Sequence, residues 1–164
     1  MSEASWLHSF LYVTIPLMNK KKIVIRIVIA LWLCLIWGHS LQPAVVSEQE
    51  SGYFLDFLIK YFPAIFDNEA GMIILRKSAH FMEYFILGFL LCGEFISYLR
   101  GFIKRLSVPV LVGLFVAFID ETIQLFVVGR SGEIRDMWID FAGVALATLI
   151  MLAISGNRRG SRRY

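Results

Sequence analysis

The sequence predicts an all-α membrane protein, a four-helix transmembrane bundle with an interfacial amphipathic helix in its first outer loop. Hydrophobic residues make up 58% of the 164 residues, above the roughly 45–50% that is usual for soluble domains, and the mean hydropathy is +0.68. Four apolar runs each approach the roughly 20 residues that cross a bilayer. The length fits one domain. It divides into an N-terminal cytoplasmic or interfacial segment (1–22), a four-span membrane domain (23–154) and a basic cytoplasmic tail (155–164).

The first span is predicted at residues 23–37, directly after the basic sequence NKKK. Before it, Trp6, Phe10 and Tyr12 form an aromatic patch that suits either a membrane surface or a loose terminus. A basic flank before an apolar run is also typical of a signal peptide. An uncleaved anchor is the preferred interpretation, because no clear small-x-small cleavage site follows and the basic flank comes late in the chain.

The first outer loop, residues 38–77, is the longest polar interval and contains the predicted interfacial helix at residues 53–66. Asp56 and Lys60 lie on one side of this helix, and apolar residues recur at helical spacing on the other. A helix of this kind lies in the membrane interface or caps the bundle. Its apolar residues are Phe54, Leu58, Tyr61, Phe62 and Ile65.

The remaining spans are predicted at about residues 78–99, 106–128 and 137–154. Of the 16 Lys and Arg residues, eleven fall on one side of the membrane and five on the other. The side with eleven is expected to be cytoplasmic, which places both termini inside and the turn at residues 129–135 outside. This predicts a multi-pass protein of the plasma or inner membrane. The net charge of +3 does not indicate nucleic-acid binding, because the basic residues lie at helix ends.

Carboxylates within apolar sequence are the main indication of a functional site. Asp120, Glu121 and Asp140 lie in or beside predicted spans, where one carboxylate at the centre costs roughly 2.5–3.5 kcal/mol. They are therefore expected to face protein or a water-filled pocket. The predicted topology places them, together with Glu83 of the second span, in the outer half of the membrane. One polar pocket that faces outward is predicted.

Each of the last three spans contributes a polar helical face to this pocket. On the fourth span, Gly143 and Ala147 would let a neighbouring helix approach closely. Arginine pairs bidentately with phosphate, which favours an anionic ligand. The candidate catalytic residues are His80, Glu83, Asp120, Glu121 and Asp140. The candidate ligand-binding residues are Arg76, Lys77, Tyr84, Gln124, Arg130, Arg135 and Asp136.

The same residues allow other interpretations. His80 and Glu83, with acids from two further spans, have the ligand types of a metal site, but their spacing is generic, so a metal or other cofactor is left open. The acids and bases can instead neutralise one another in an interhelical ion-pair network. The sequence has no phosphate-binding glycine loop, no nucleophile elbow and no HExxH motif.

Three stretches resemble the VanZ-like membrane proteins. They are RKSAHFMEYFILG at residues 76–88, DETIQLFVVGRSGEIRDMWIDFAG at residues 120–143 and, more weakly, HSLQPAVVS at residues 39–47. The family pattern has a basic residue, then His and Tyr on one helix, an Asp-Glu pair with Gln, a Gly-Arg turn and two Asp residues before a glycine-containing helix. Here the pattern falls on Lys77, His80, Tyr84, Asp120, Glu121, Gln124, Gly129, Arg130, Asp136, Asp140 and Gly143.

One position departs from the family pattern: Val128 stands where the family often has proline before the Gly-Arg turn. The resemblance implies a cell-envelope role, because the family is named for a member associated with low-level resistance to the glycopeptide teicoplanin. It does not imply resistance in this protein, and a link to glycopeptide (teicoplanin-type) susceptibility is left open. The resemblance supplies no reaction.

The leading hypothesis is a cell-envelope protein whose outward-facing pocket binds an anionic lipid or a lipid-linked cell-wall intermediate. The first alternative is a membrane-embedded hydrolase or transferase acting on such a lipid. It would use acid–base chemistry at His80 and Glu83, with or without a divalent cation held by Asp120, Glu121 and Asp140. The second alternative is a structural or partner-binding membrane protein. The expected partner is a membrane lipid or lipid-linked envelope precursor and no nucleic acid, and homo-oligomer formation is left open.

Overall fold

The structure is a computed structural model that describes residues 20–68 and 70–160. Within these residues the chain is all-helical, as predicted. The predicted aromatic patch at Trp6, Phe10 and Tyr12 and the end of the basic tail lie outside the described residues. The helices are α1 (Lys20–Ser40), α2 (Ala44–Tyr61), α3 (Pro63–Phe66), α4 (Gly71–Phe95), α5 (Phe102–Gln124) and α6 (Ile134–Gly160).

Three of these helices, α1, α5 and α6 up to Ser155, are long and apolar enough to cross a membrane. Large apolar side chains on their outer faces are exposed, among them Leu31, Phe115 and Leu149. Soluble monomers rarely leave so much apolar surface uncovered. The helices therefore indicate a membrane protein, in agreement with the composition.

Helix α4 is 25 residues long and packs against α1, α5 and α6, most extensively against α6. It covers most of the second predicted span but begins at Gly71 instead of near residue 78 and ends at Phe95 instead of near residue 99. Arg76, Lys77, Glu83 and Glu94 lie along it, whereas each of the other three long helices contains an 18-residue apolar stretch with at most two charged residues. A fourth membrane crossing at α4 stays a prediction.

The segment at residues 38–77 contains more helix than the sequence predicted. Helix α2 begins at Ala44, nine residues before the predicted start of the interfacial helix, because Pro43 occupies its N-cap position. It ends before Pro63, where the residue ahead of the proline is disfavoured in helical conformation and Phe62 has φ −135° and ψ 55°. A single predicted helix is thus divided into α2 and the short α3.

The close contact between α4 and α6 depends on small residues, as predicted for the fourth span. A Cβ atom added to Gly143 would lie 2.6 Å from the Phe81 carbonyl oxygen. One added to Gly88 would lie 2.7 Å from the Ala147 Cβ atom. Tyr84, which is fully buried, packs in the same core. The two backbones therefore approach too closely for larger side chains.

At the end of the molecule away from residues 125–133, an ion pair joins α1 to α4. The Arg26 Nε atom donates to Glu94 Oε1 at 2.9 Å, and Nη2 lies 2.8 Å from the same oxygen. Because Glu94 is buried, its charge needs a partner; Arg26 supplies one, and Lys22 Nζ lies 3.9 Å from the other carboxylate oxygen.

Candidate functional site

Polar residues from four helices meet where α1 and α5 end and α6 begins. Helix α1 contributes its last turn, α4 its first half and α5 its last turn, and the loop at residues 125–133 connects α5 to α6. The acids of α4, α5 and α6 come together at this end, as the sequence predicted. Their individual partners differ from the predicted ones.

The most buried part of the site is a cluster of His80, Asp120 and Asp140. Each offers one ligand-type atom, and these atoms lie within 4.8 Å of one another. Asp120 and Asp140 are fully buried, and the His80 Nδ1 atom is 3.7 Å from Asp140 Oδ1. Neither this nitrogen nor either carboxylate oxygen of Asp140 has a hydrogen-bond partner among the residues that the structure describes. The three side chains thus form a compact set of largely unsatisfied metal-ligand atoms.

Asp120 is held in place by two neighbours. The Ser40 hydroxyl group, at the end of α1, donates to Asp120 Oδ1, and the Gln124 amide donates weakly to Oδ2 at 3.4 Å. Ser40 is itself buried. Donors of this kind fix the orientation of a carboxylate, as outer-shell groups do around metal ligands.

Glu121 lies beside this cluster, and its carboxylate accepts hydrogen bonds instead of facing His80. Its Oε2 atom accepts the Glu133 backbone N–H at 2.8 Å, and its Oε1 atom accepts from Gln124 at 3.3 Å. The bond between Glu121 and Glu133 joins the end of α5 to the residue before α6. The sequence suggested a cation site formed by Asp120, Glu121 and Asp140. In the structure, His80 and not Glu121 lies with the two aspartates.

Glu83 does not join His80 either. Its Oε1 atom is 2.7 Å from His39 Nδ1, and its backbone carbonyl accepts from the Trp32 indole at 3.0 Å. Sequence reasoning missed His39 and Ser40 as site residues. The signal that could have found them is the stretch HSLQPAVVS, which begins at His39 and was recognised only as a weak resemblance.

Beside the cluster lies a cavity of about 320 Å³. Two arginines, Arg76 and Arg130, line it together with Glu83 and His80. The remaining lining residues come mostly from α2 and α4. Three are apolar (Phe54, Leu75 and Ala79) and five are polar or charged (His39, Gln42, Ser47, Glu50 and Ser51). His80 belongs to both the cavity wall and the buried cluster, so the two features adjoin.

Arg130 is anchored by backbone atoms and not by the nearby acids. Its Nη1 atom donates to the carbonyl oxygens of His39 at 2.9 Å and Gln42 at 3.5 Å. Its buried Nε atom has no partner within the described part of the chain. Burial lowers the pKa of the Arg130 guanidinium from its usual value, and the positive charge of Arg76 lowers it further, although nearby acids oppose this shift.

The turn that presents Arg130 needs Gly129. This glycine has φ +77°, a backbone conformation that residues with a side chain rarely adopt. Next to it, the Val128 carbonyl accepts the Ala44 backbone N–H at 3.2 Å, which joins the turn to the start of α2. The turn therefore holds its shape with Val128 at the position where the family pattern often has proline.

The other predicted ligand-binding residues are arranged separately. Lys77 forms an ion pair with Asp136, and Arg76 lies 3.7 Å from Glu48. Arg135 is exposed at the start of α6. Tyr84 is fully buried in the core, and its hydroxyl group has no hydrogen-bond partner among the described residues. Of the predicted cationic residues, Arg76 and Arg130 line the cavity.

The sequence profile of the VanZ/LLP1 family matches residues 25–155, a range that includes the cluster, the cavity and all four long helices except their outermost residues. This chain belongs to the VanZ/LLP1 family. The resemblance inferred from the motifs is thereby confirmed. No curated protein and no solved structure matches this VanZ/LLP1 protein significantly.

Proposed function

We propose that this VanZ/LLP1 protein binds the phosphate group of an anionic lipid, or of a lipid-linked cell-wall intermediate, in the cavity beside His80. The observation that supports this most directly is the pair of arginines, Arg76 and Arg130, in the wall of one cavity. Two guanidinium groups in a partly buried space favour an anionic occupant.

Arg130 is prepared for such a ligand. Two backbone carbonyls hold one arm of its guanidinium group, while the buried Nε–H has no acceptor among the described residues. A buried donor without an acceptor costs roughly 1–3 kcal/mol. A phosphate oxygen would satisfy it and would also offset the repulsion between Arg130 and Arg76.

The rest of the cavity suits the apolar part of a lipid. Phe54 and Leu75 line it, and Phe54 lies on α2, whose side chains at Phe54, Phe57 and Tyr61 are exposed. An exposed apolar face on a helix beside a cavity is typical of a segment that lies in the membrane interface. The volume of about 320 Å³ accommodates a headgroup and the first part of a chain, with the remainder in the bilayer.

The proposed arrangement in the membrane follows from the charge distribution. Helix α4, which holds the second predicted span, also crosses the membrane and is packed against α1, α5 and α6. The end with residues 125–133 faces outward because the opposite side has more Lys and Arg. The cavity then opens near the outer leaflet of the plasma or inner membrane, where envelope precursors are used. A role in the cell envelope, with an effect on glycopeptide susceptibility, is part of this proposal.

The binding test compares full-length variants in detergent. Fluorescent phosphatidylglycerol and an isoprenyl phosphate serve as anionic probes, and phosphatidylcholine serves as the zwitterionic control. We expect the double substitution Arg76→Gln and Arg130→Gln to weaken binding of the anionic probes by more than about tenfold, a loss of roughly 1.4 kcal/mol. The matched control Arg100→Gln removes an exposed arginine at the other end of the molecule and should leave binding unchanged.

Competition with inorganic phosphate distinguishes the two possible sources of the phosphate group. If millimolar phosphate displaces the lipid probes completely, the site is a phosphate site and not a lipid site. Equal binding of anionic and zwitterionic probes, or equal binding by the double variant and the wild type, would contradict the proposal. Size-exclusion profiles of all variants show whether a loss reflects unfolding.

A lipid-modifying enzyme is the second candidate function, because His80 is both in the cavity wall and next to Asp140. An imidazole at the edge of a ligand cavity is suited to general acid–base catalysis. Incubating the protein with an isoprenyl diphosphate and following products by mass spectrometry tests this. Turnover by the wild type that is lost in His80→Ala would support it; no turnover beyond the heat-inactivated sample would remove it.

A further inference from the structure

Asp140 lacks a visible source of stabilisation. Its side chain is fully buried, and neither carboxylate oxygen has a hydrogen-bond partner among residues 20–68 and 70–160. The strongest electrostatic influences on it come from acids: Asp120, Glu121, Asp136 and Glu83. A buried charge is retained when it is paired or when it coordinates a metal. Asp140 therefore needs a cation or a proton.

His80 alone does not meet this need. Its Nδ1 atom is 3.7 Å from Asp140 Oδ1, beyond the range of about 2.7–3.2 Å for a hydrogen bond from nitrogen to oxygen. The separation is, however, close to that of two ligands on one ion. Nitrogen and oxygen ligands lie about 2.0–2.2 Å from zinc, so that two of them at a tetrahedral angle are roughly 3.4 Å apart.

We propose that His80, Asp120 and Asp140 bind a divalent first-row transition-metal ion, with Zn²⁺ the best match. One imidazole and two carboxylates form a ligand set that zinc accepts, and three protein ligands leave a position open for water or a ligand. Calcium is a poor match because it takes six to eight oxygen ligands. The proposal does not depend on lipid binding, since it uses the buried cluster and neither cavity arginine.

The surroundings of the cluster support a metal site. The ligand atoms already lie within 4.8 Å of one another, so the longest separation needs to shorten by at most about 1.4 Å to place all three on one ion. The hydroxyl group of Ser40 orients Asp120 from outside the cluster, as outer-shell donors orient metal ligands. His80 also lines the cavity, which gives an ion a route to the cluster.

The alternative is that Asp140 holds a proton and the cluster only stabilises helix packing. The two interpretations differ in metal content. Full-length protein is treated with EDTA, incubated with Zn²⁺ or, separately, Mn²⁺, freed of unbound metal by gel filtration and submitted to elemental analysis. Thermal unfolding with and without Zn²⁺ supplies a second readout, because a ligand that binds only the folded state raises Tm.

We expect stoichiometric zinc and a raised Tm for the wild type. Asp140→Asn and His80→Gln should each weaken zinc binding by more than about tenfold, the least that loss of an outer-shell partner usually costs. Asp140→Asn replaces an unpaired buried carboxylate with an amide of the same shape, so it should still fold. Glu133→Gln, which removes an exposed acid of the adjacent loop, is the matched control and should retain zinc.

Two results would overturn the proposal. One is a well-folded wild type that retains neither zinc nor manganese and shows no change in Tm. The other is zinc retained equally by the wild type, Asp140→Asn and His80→Gln, which would place the metal elsewhere on the chain. Either result can occur whether or not anionic lipid binds in the cavity, so failure of the metal site and failure of the lipid proposal are distinguishable.

Discussion

Replacing Gly143 with alanine should force α4 and α6 apart next to the buried cluster. A Cβ atom at this position would lie 2.6 Å from the Phe81 carbonyl oxygen and 3.0 Å from the Phe85 backbone nitrogen. Ordinary contact begins at 3.4 Å, so the nearer pair must separate by about 0.8 Å. Both contacted atoms belong to the helix backbone, and no side-chain rotation can relieve the overlap.

The expected cost is about 1–3 kcal/mol of unfolding free energy, as for other overpacked interiors. Higher helix propensity of alanine offsets up to about 1 kcal/mol of this, which leaves a net loss of roughly 0–2 kcal/mol, or the full value of about 1–3 kcal/mol when the variant is compared with a Gly→Ala substitution in an uncrowded helix. Phe81 follows His80 in α4, and Asp140 lies one turn before Gly143 in α6. The same displacement should therefore lengthen the distance from His80 to Asp140 and reduce zinc retention.

Unfolding in mixed detergent micelles, followed by circular dichroism, measures the stability change. Gly52→Ala is the matched control, because Gly52 is also helical and a Cβ atom there meets nothing within 4 Å. It should leave stability unchanged or raise it by up to about 1 kcal/mol. A Gly143→Ala protein as stable as the Gly52→Ala control would refute the close packing of α4 on α6.

Two further predictions concern the loop between α5 and α6. Glu121→Ala should lower the free energy of unfolding by about 1–2 kcal/mol, since the Glu133 backbone N–H loses its acceptor. The control Thr122→Ala should have little effect. Thermal unfolding compares the two variants, and equal Tm values would contradict this role of Glu121. In spheroplasts, an impermeant thiol reagent should label Ser131→Cys directly but label Arg100→Cys only after permeabilisation, and the reverse pattern would invert the proposed topology.

The sequence alone predicted which acids are kept away from lipid and which helix face packs closely. Acids within apolar sequence must avoid lipid, and the structure does bring Asp120 and Asp140 together with His80. Small residues on one helical face predict close packing, and Gly143 lies against the backbone of α4. These features depend on composition and periodicity, which are visible without a partner.

Pairings between distant residues could not be predicted in this way. Asp120 and Glu121 are neighbours on α5, and successive residues of a helix point roughly 100° apart, so only one of them faces the cluster. Periodicity does not show whether Asp120 or Glu121 faces the cluster. Glu83 binds His39, 44 residues away, and Arg130 binds backbone carbonyls of the α1–α2 connection. Only tertiary packing determines these contacts.

The predicted start of the interfacial helix was wrong for a local reason. The residues after Pro43 are polar enough to suggest a loop, yet they form the first half of α2. Proline is compatible with the start of a helix because it has no backbone N–H to satisfy there. Its position before a long segment without glycine until Gly52 was a usable signal.

The most direct test of the central claim is native mass spectrometry of the protein released from bilayer nanodiscs that contain equal amounts of phosphatidylglycerol and phosphatidylcholine. The cavity between Arg76 and Arg130 predicts that the wild type and Arg100→Gln retain phosphatidylglycerol selectively, and that the Arg76→Gln, Arg130→Gln double variant does not. Retention of both lipids in the same ratio by all three proteins would contradict it.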